Sequence, residues 1–115
     1  DVEFDRLSFG YEPNQVLLRN INLKVQAGQQ VAIVGTSGGG KSTLVSLLMR
    51  LYDPISGAVK IDGRDIRDYT LESLRSQISV VLQDSLLFAA TIRENIGYGV
   101  SDVSEKDIIA AVTLA

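Results

Sequence analysis

The nine residues GTSGGGKST, Gly35 to Thr43, constrain this chain more than any other stretch. They place four glycines and a lysine between the apolar run VAIV and the leucine-rich LVSLLMRL. Glycine weakens strands and helices alike, so glycines between a good strand and a good helix answer a backbone demand, either a tight turn or a ligand that approaches the main chain. VAIV does not alternate and reads as a strand buried on both faces, as in a parallel sheet covered by helices. On the other side, Leu44, Leu47, Leu48 and Leu51 recur at the spacing of one helical face. That helix is expected to run to Asp53-Pro54, where proline stops it.

Gly35, Gly40, Lys41 and Ser42 satisfy the pattern G-x-x-x-x-G-K-[ST] in the strand-loop-helix context that the pattern requires. Successive backbone N–H groups of such a loop converge on anionic oxygens only where side chains are absent, and Gly38, Gly39 and Gly40 are expected to clear that space. The first turn of the helix adds its unpaired N–H groups and the positive end of its dipole. Lys41 is expected to bridge the β- and γ-phosphates, and the Ser42 hydroxyl to ligate Mg²⁺. Ser37 and Thr43 complete the set of loop residues expected to contact the ligand. The loop specifies a nucleoside triphosphate and no more.

Composition removes other chemistries. The 115 residues hold no cysteine and no histidine, which excludes disulfides, the usual zinc ligands and a histidine general base. Eleven basic and fourteen acidic residues are interspersed, so no nucleic-acid surface is expected. No apolar run approaches the roughly 18 residues of a membrane span. The chain opens on Asp1, and its last helix reaches Ala115 without a closing glycine, asparagine or proline, so an excerpt is expected.

The rest of the chain gives a mixed α/β order. VEFDRLSF reads as a strand broken by YEPN, and NINLKV as a half-buried strand closed at Ala27-Gly28. AVKID and RDI flank Asp62-Gly63, the signal of a type I′ hairpin. A short helix is expected after Thr70, carrying Leu71, Leu74 and Ile78, followed by a buried strand at ISVVL. Ser104 with Asp107 resembles a capping box for a last helix bearing Ile108, Ile109 and Val112. On the residues alone, Tyr11 is an edge aromatic, Val16 is core, and Gln83-Asp84 after ISVVL offers a candidate Walker B aspartate.

FGYEPNQVLLRNINLKVQAGQQVAIVGTSGGGKSTLVSLLMRLYDPISGAVKIDGRDI and LRSQISVVLQDSLLFAATIRENIGYG together resemble the nucleotide-binding domain of ABC transporters, and most closely its exporter type, over nearly the whole chain. The resemblance implies an α/β fold, a P-loop NTPase core of parallel sheet with helices plus a small antiparallel β-subdomain, present as an incomplete domain. It implies that Tyr11 stacks on adenine, that Val16 packs beside the nucleotide, and that Gln83 reaches Mg²⁺ and the attacking water. An amide suits that work because its oxygen ligates the metal or accepts from water while carrying no charge. The Walker B reading of Asp84 is set aside, because DSLLFAATIRENI continues as the exporter pattern does and the family places that strand later. Leu86, Leu87 and Phe88 are either core or part of a groove for a coupling helix of the transmembrane domain.

No LSGGQ signature, no apolar run ending in Asp-Glu and no switch histidine is present in the 115 residues. The resemblance therefore implies the N-terminal part of the domain, from phosphate loop to glutamine loop. It implies ATP and Mg²⁺ as ligands, with a transmembrane domain and a second nucleotide-binding domain paired head to tail as partners. The implied place is the cytoplasmic face of a membrane, and the implied role is ATP-driven export in which the fragment alone does not hydrolyse ATP. A soluble P-loop kinase and a non-catalytic binding module are the alternatives, and the scattered Arg64, Arg67, Arg75 and Arg93 do not form a kinase lid.

Overall fold

The computed structural model describes residues 1–82, 84 and 87–115, in two compact units, Asp1–Ser79 and Val80–Ala115. In the first, strands β1 (Val2–Phe9), β2 (Leu18–Val25), β3 (Ser56–Ile61) and β4 (Arg64–Asp65) form an antiparallel sheet in the order β2-β1-β3-β4. The β3-β4 hairpin turns as expected at Asp62 (φ 50°) and Gly63 (φ 79°), the paired left-handed residues that a type I′ turn needs.

Strict alternation along β1 would put Phe4 and Leu7 on opposite faces. Both are buried, with Phe9, in one core. Arg6 lies at φ 47° between them, and the register of β1 shifts there against both neighbours. The resulting bulge turns Leu7 and Phe9 back to the face of Phe4. Leu18, Val59, Ile66 and Leu74 join them, and Leu44 and Leu47 close the core from helix α1 (Lys41–Leu48).

Helix α1 ends earlier than expected. Arg50 takes φ 51°, its N–H bonds Leu47 O at 3.0 Å, and the Leu51 N–H bonds Ser46 O at 2.9 Å. This is a Schellman cap built on arginine instead of glycine. Arg75 from helix α2 (Leu71–Arg75) supports it, donating to Met49 O and Arg50 O, both at 3.1 Å. Leu51 therefore falls outside the helix and is half exposed. Helix α2 has the expected N-cap, with Thr70 accepting from the Ser73 N–H.

The parallel core expected from VAIV and ISVVL is not assembled among the described residues. Neither run pairs with another strand, and Val34 and Val81 are 89% and 99% exposed. The physical reason is connectivity. Hairpins close antiparallel pairs locally, whereas a parallel strand depends on neighbours distant in sequence. Among the described residues no such strand pairs with either run.

The second unit carries helices α3 (Ile92–Ile96) and α4 (Glu105–Leu114). Helix α3 starts from a complete capping box of Thr91 and Glu94. Asn95 accepts from the Phe88 N–H at 2.8 Å and donates to the carbonyls of Phe88, Ala90 and Thr91 at 3.2, 3.2 and 2.9 Å. Helix α4 is capped by Ser104, as expected, and buries Ile108, while Ile109 and Val112 stay exposed. Leu87 and Phe88 are exposed in this unit, and Phe88 stacks on Tyr98 at 4.3 Å. Among the described residues, no helix is long and apolar enough to cross a membrane.

Candidate functional site

The glycine loop runs over the surface into α1. The Gly39 N–H bonds Thr36 O at 3.1 Å, closing a turn that leaves Ser37 exposed at its tip. Gly38 (φ 77°) and Gly40 (φ 86°) occupy the left-handed region that side chains disfavour. Gly40 is also the N-cap of α1 and supplies no side-chain hydrogen bond. No acidic residue occupies the first turn, so no carboxylate of the helix offsets its positive end.

The glycines do not all serve one purpose. A Cβ on Gly38 would meet no protein atom within 4 Å, so within the protein the demand for glycine there comes from its left-handed backbone. A Cβ on Gly40 would lie 2.5 Å from Leu18 Cδ2, so Gly40 is held small by the protein's own core. Backbone conformation at Gly38 and Gly40 and the Leu18 contact at Gly40 are thus reasons for glycine that lie within the protein itself.

Lys41 curls back over the loop. Its Nζ donates to Gly35 O at 2.8 Å and to Thr36 O at 2.6 Å, which holds the ammonium at the mouth of the turn. The next two residues diverge. The Ser42 side chain faces solvent, whereas Thr43 is 5% exposed and its Oγ1 lies 3.0 Å from the Tyr11 hydroxyl.

Tyr11 comes from the segment between β1 and β2, where the Leu17 N–H bonds Phe9 O at 2.8 Å and returns the chain to the sheet. Its ring packs edge-on against Phe9 and Tyr52, at centroid distances of 5.0 and 5.2 Å. Tyr11 and Val16, with Gln15 and Leu17, line a cavity of about 240 Å³. The structure thus brings Tyr11 to Val16 and to Thr43, in one unit with Gly35, Ser37, Lys41 and Ser42. Gln83 lies outside the described residues, and the neighbouring Asp84 is exposed.

Sequence reasoning missed Tyr52 and the Tyr11-Thr43 contact. Tyr52 follows the arginine-built cap of α1, and no motif or periodicity marks either feature. A second, apolar opening is lined by Val2, Phe4 and Leu23 of the sheet, Leu44 and Leu48 of α1, and Ile33 of the unpaired run. Those walls are formed by apolar side chains, which cannot orient an anion. The polar groups converge instead at the loop.

Comparison with known proteins gives this geometry its context. The family model described as ABC transporter matches residues 18–115. A Bacillus subtilis protein named for multidrug export, the ATP-binding/permease protein YgaD, is 54% identical over 99% of this chain and 20% of its own length. The ATP-dependent lipid A-core flippase of Syntrophus aciditrophicus is 53% identical over 99% of this chain and 19% of its own. The solved structure of a bacterial Atm1-family ABC exporter with ATP bound superposes with a TM-score of 0.93 at 46% identity, covering 97% of this chain and 20% of that one. This chain therefore spans about a fifth of the length of these relatives. With a family match across residues 18–115 and a glycine loop leading into helix α1 where the motif places it, the chain belongs to the ABC transporter family.

Proposed function

We propose that residues 1–115 form the ATP-binding part of an exporter's ATPase domain, and that the whole protein couples ATP hydrolysis to transport across a membrane from its cytoplasmic face. The observation that carries this reading is the loop itself. An open helix N-terminus, a lysine ammonium held over the turn and a cavity walled by Tyr11 and Val16 offer binding groups for triphosphate and base. The ATP in the neighbouring exporter structure and the ATP-binding names of the relatives support the same ligand.

On binding, Lys41 exchanges two neutral carbonyl partners for phosphate oxygens, a stronger charge-assisted pairing. Gly38 and Gly40 hold the loop's turn, and the first-turn N–H groups donate to the phosphates. The Tyr11 ring offers a flat apolar surface to adenine, with modest discrimination between purines.

Magnesium fits the donor set. Among the described residues, no group of three or more acidic side chains is placed to hold an ion alone, and the Ser42 hydroxyl is an exposed, neutral, hard oxygen. Such a site suits an ion carried largely by substrate phosphates, with Ser42 and Gln83 as its protein ligands. When bound, Mg²⁺ neutralises charge that builds on the phosphate oxygens. Gln83 orients water in this reading. A second nucleotide-binding domain and a transmembrane domain are the partners, and the exposed Leu87 and Phe88 belong to a surface for the latter.

The test is Lys41→Ala in the full-length protein, with Mg-ATP affinity measured by calorimetry and turnover by phosphate release. Removing a close cation from several phosphate charges is expected to weaken binding by at least ~2 kcal/mol. Unchanged affinity and turnover would remove the assignment.

A further inference from the structure

The Tyr11 side chain touches two parts of the site at once. Its ring lines the cavity shared with Val16, and its hydroxyl reaches Thr43 Oγ1 at 3.0 Å. Thr43 is the buried hydroxyl in the first turn of α1, while its neighbour Ser42 is exposed. A ring that served only as a stacking surface would need no such contact.

The geometry also fixes the direction of the phenol. Phe9 and Tyr52 meet the Tyr11 ring at interplanar angles of 85° and 86°, two edge contacts that limit its swing. A threonine hydroxyl has one proton to give and two lone pairs to receive. A phenol is the more acidic of the two hydroxyls and so the better donor. When Tyr11 donates, Thr43 keeps its own proton for a further acceptor, and hydrogen bonds in such a chain strengthen one another.

We propose that Tyr11 is a positioning residue: its hydroxyl donates to Thr43 Oγ1 and thereby orients the Thr43 proton toward a phosphate oxygen of the nucleotide. This rests on the reading of the loop as a nucleotide site and adds to it a link between the base-binding wall and the phosphate loop. Tyrosine at this position is then not interchangeable with phenylalanine. Tyr52 acts here as a buttress through its contact with the Tyr11 ring.

The experiment uses the full-length protein and two probes, Mg-ATP and Mg-tripolyphosphate, the second of which has no base to stack. Tyr11→Phe is expected to weaken both by about two- to tenfold, the effect of one net hydrogen bond. Thr43→Ser, which keeps the hydroxyl, is expected to retain most of the affinity, and Tyr11→Phe is expected to cost nothing further in a Thr43→Val background. Tyr52→Leu, which leaves both hydroxyls but frees the ring, is expected to lose part of the same affinity for both probes. Tripolyphosphate binding unchanged in Tyr11→Phe would overturn the proposal, as would full additivity with Thr43→Val. So would a fall in unfolding temperature large enough to account for the loss. Lys41→Ala separates the two levels: if it abolishes binding while Tyr11→Phe matches the parent protein, the hydroxyl link alone fails. If Lys41→Ala leaves binding intact, the nucleotide-site reading fails with it.

Discussion

Replacing Gly40 by alanine tests whether the loop's glycines answer to the protein or to its ligand. Gly40 sits at φ 86°, where an L-residue costs about 1–2 kcal/mol. The added Cβ would lie 2.5 Å from Leu18 Cδ2 and 3.4 Å from Leu18 Cγ. Leu18 is 5% exposed and packs in the core, so shifting its end must disturb buried neighbours. Overpacking of this kind costs about 1–3 kcal/mol, which gives about 2–5 kcal/mol in all. Gly38→Ala shares the left-handed conformation but meets nothing within 4 Å, so about 1–2 kcal/mol is expected. Gly35→Ala finds only Lys41 Cδ at 4.0 Å and should be nearly neutral. Urea denaturation of the three variants without nucleotide, read by pulse proteolysis, should rank them 40, 38, 35. Leu18→Ala should relieve part of the Gly40→Ala cost, because it removes the atoms that clash. Equal destabilisation by Gly38→Ala and Gly40→Ala, or no coupling to Leu18, would refute the packing argument.

Gln83→Ala is expected to depress ATP turnover more than nucleotide affinity, which rests on the loop, while Asp84→Asn is milder. The reverse order would restore the Walker B reading of Asp84. Residues 1–115 expressed alone are expected to release no phosphate from ATP above background, and turnover that depends on Lys41 would contradict this. Asp5 accepts from Lys60 at 2.7 Å and from Arg6, which hold its carboxyl below the ordinary 3.8, while Asp5 raises Lys60 above 10.5. The Asp5 contribution is therefore present above pH 3.8 and lost as pH falls through its lowered pKa, and the Lys60 contribution is present below pH 10.5 and lost as pH rises through its raised one. Glu94, held below its ordinary 4.5 by the Thr91 hydroxyl and N–H, adds to the acid limb, with its contribution present above pH 4.5 and lost as pH falls through the lowered pKa. Lys60→Met should flatten both limbs of a stability-pH profile measured by thermal melts, and an unchanged profile would show that the pair contributes nothing.

What the sequence determined by itself is local. The glycine-rich entry to α1, the Asp62-Gly63 turn, the Thr70 and Ser104 caps and the inward Leu44 and Leu47 of α1 were all legible, because each depends on the backbone preferences of a few consecutive residues. The family was legible for the same reason, since its motifs are short and their order is fixed. Tertiary structure decided the rest. Arg50, a residue no stop signal names, ends α1, because Arg75 of α2 comes close enough to bond the last carbonyls. Leu7 and Phe9 share a face with Phe4 because a bulge at Arg6 suits two neighbouring strands at once. VAIV and ISVVL have the composition of strands but no ladder among the described residues. Their pairing depends on chain far away in sequence, and no local preference supplies it. The contact of Tyr11 with Thr43 spans 32 positions. Phe9 and Tyr52 pack around the ring where those two hydroxyls meet, and no spacing rule in the sequence encodes that packing.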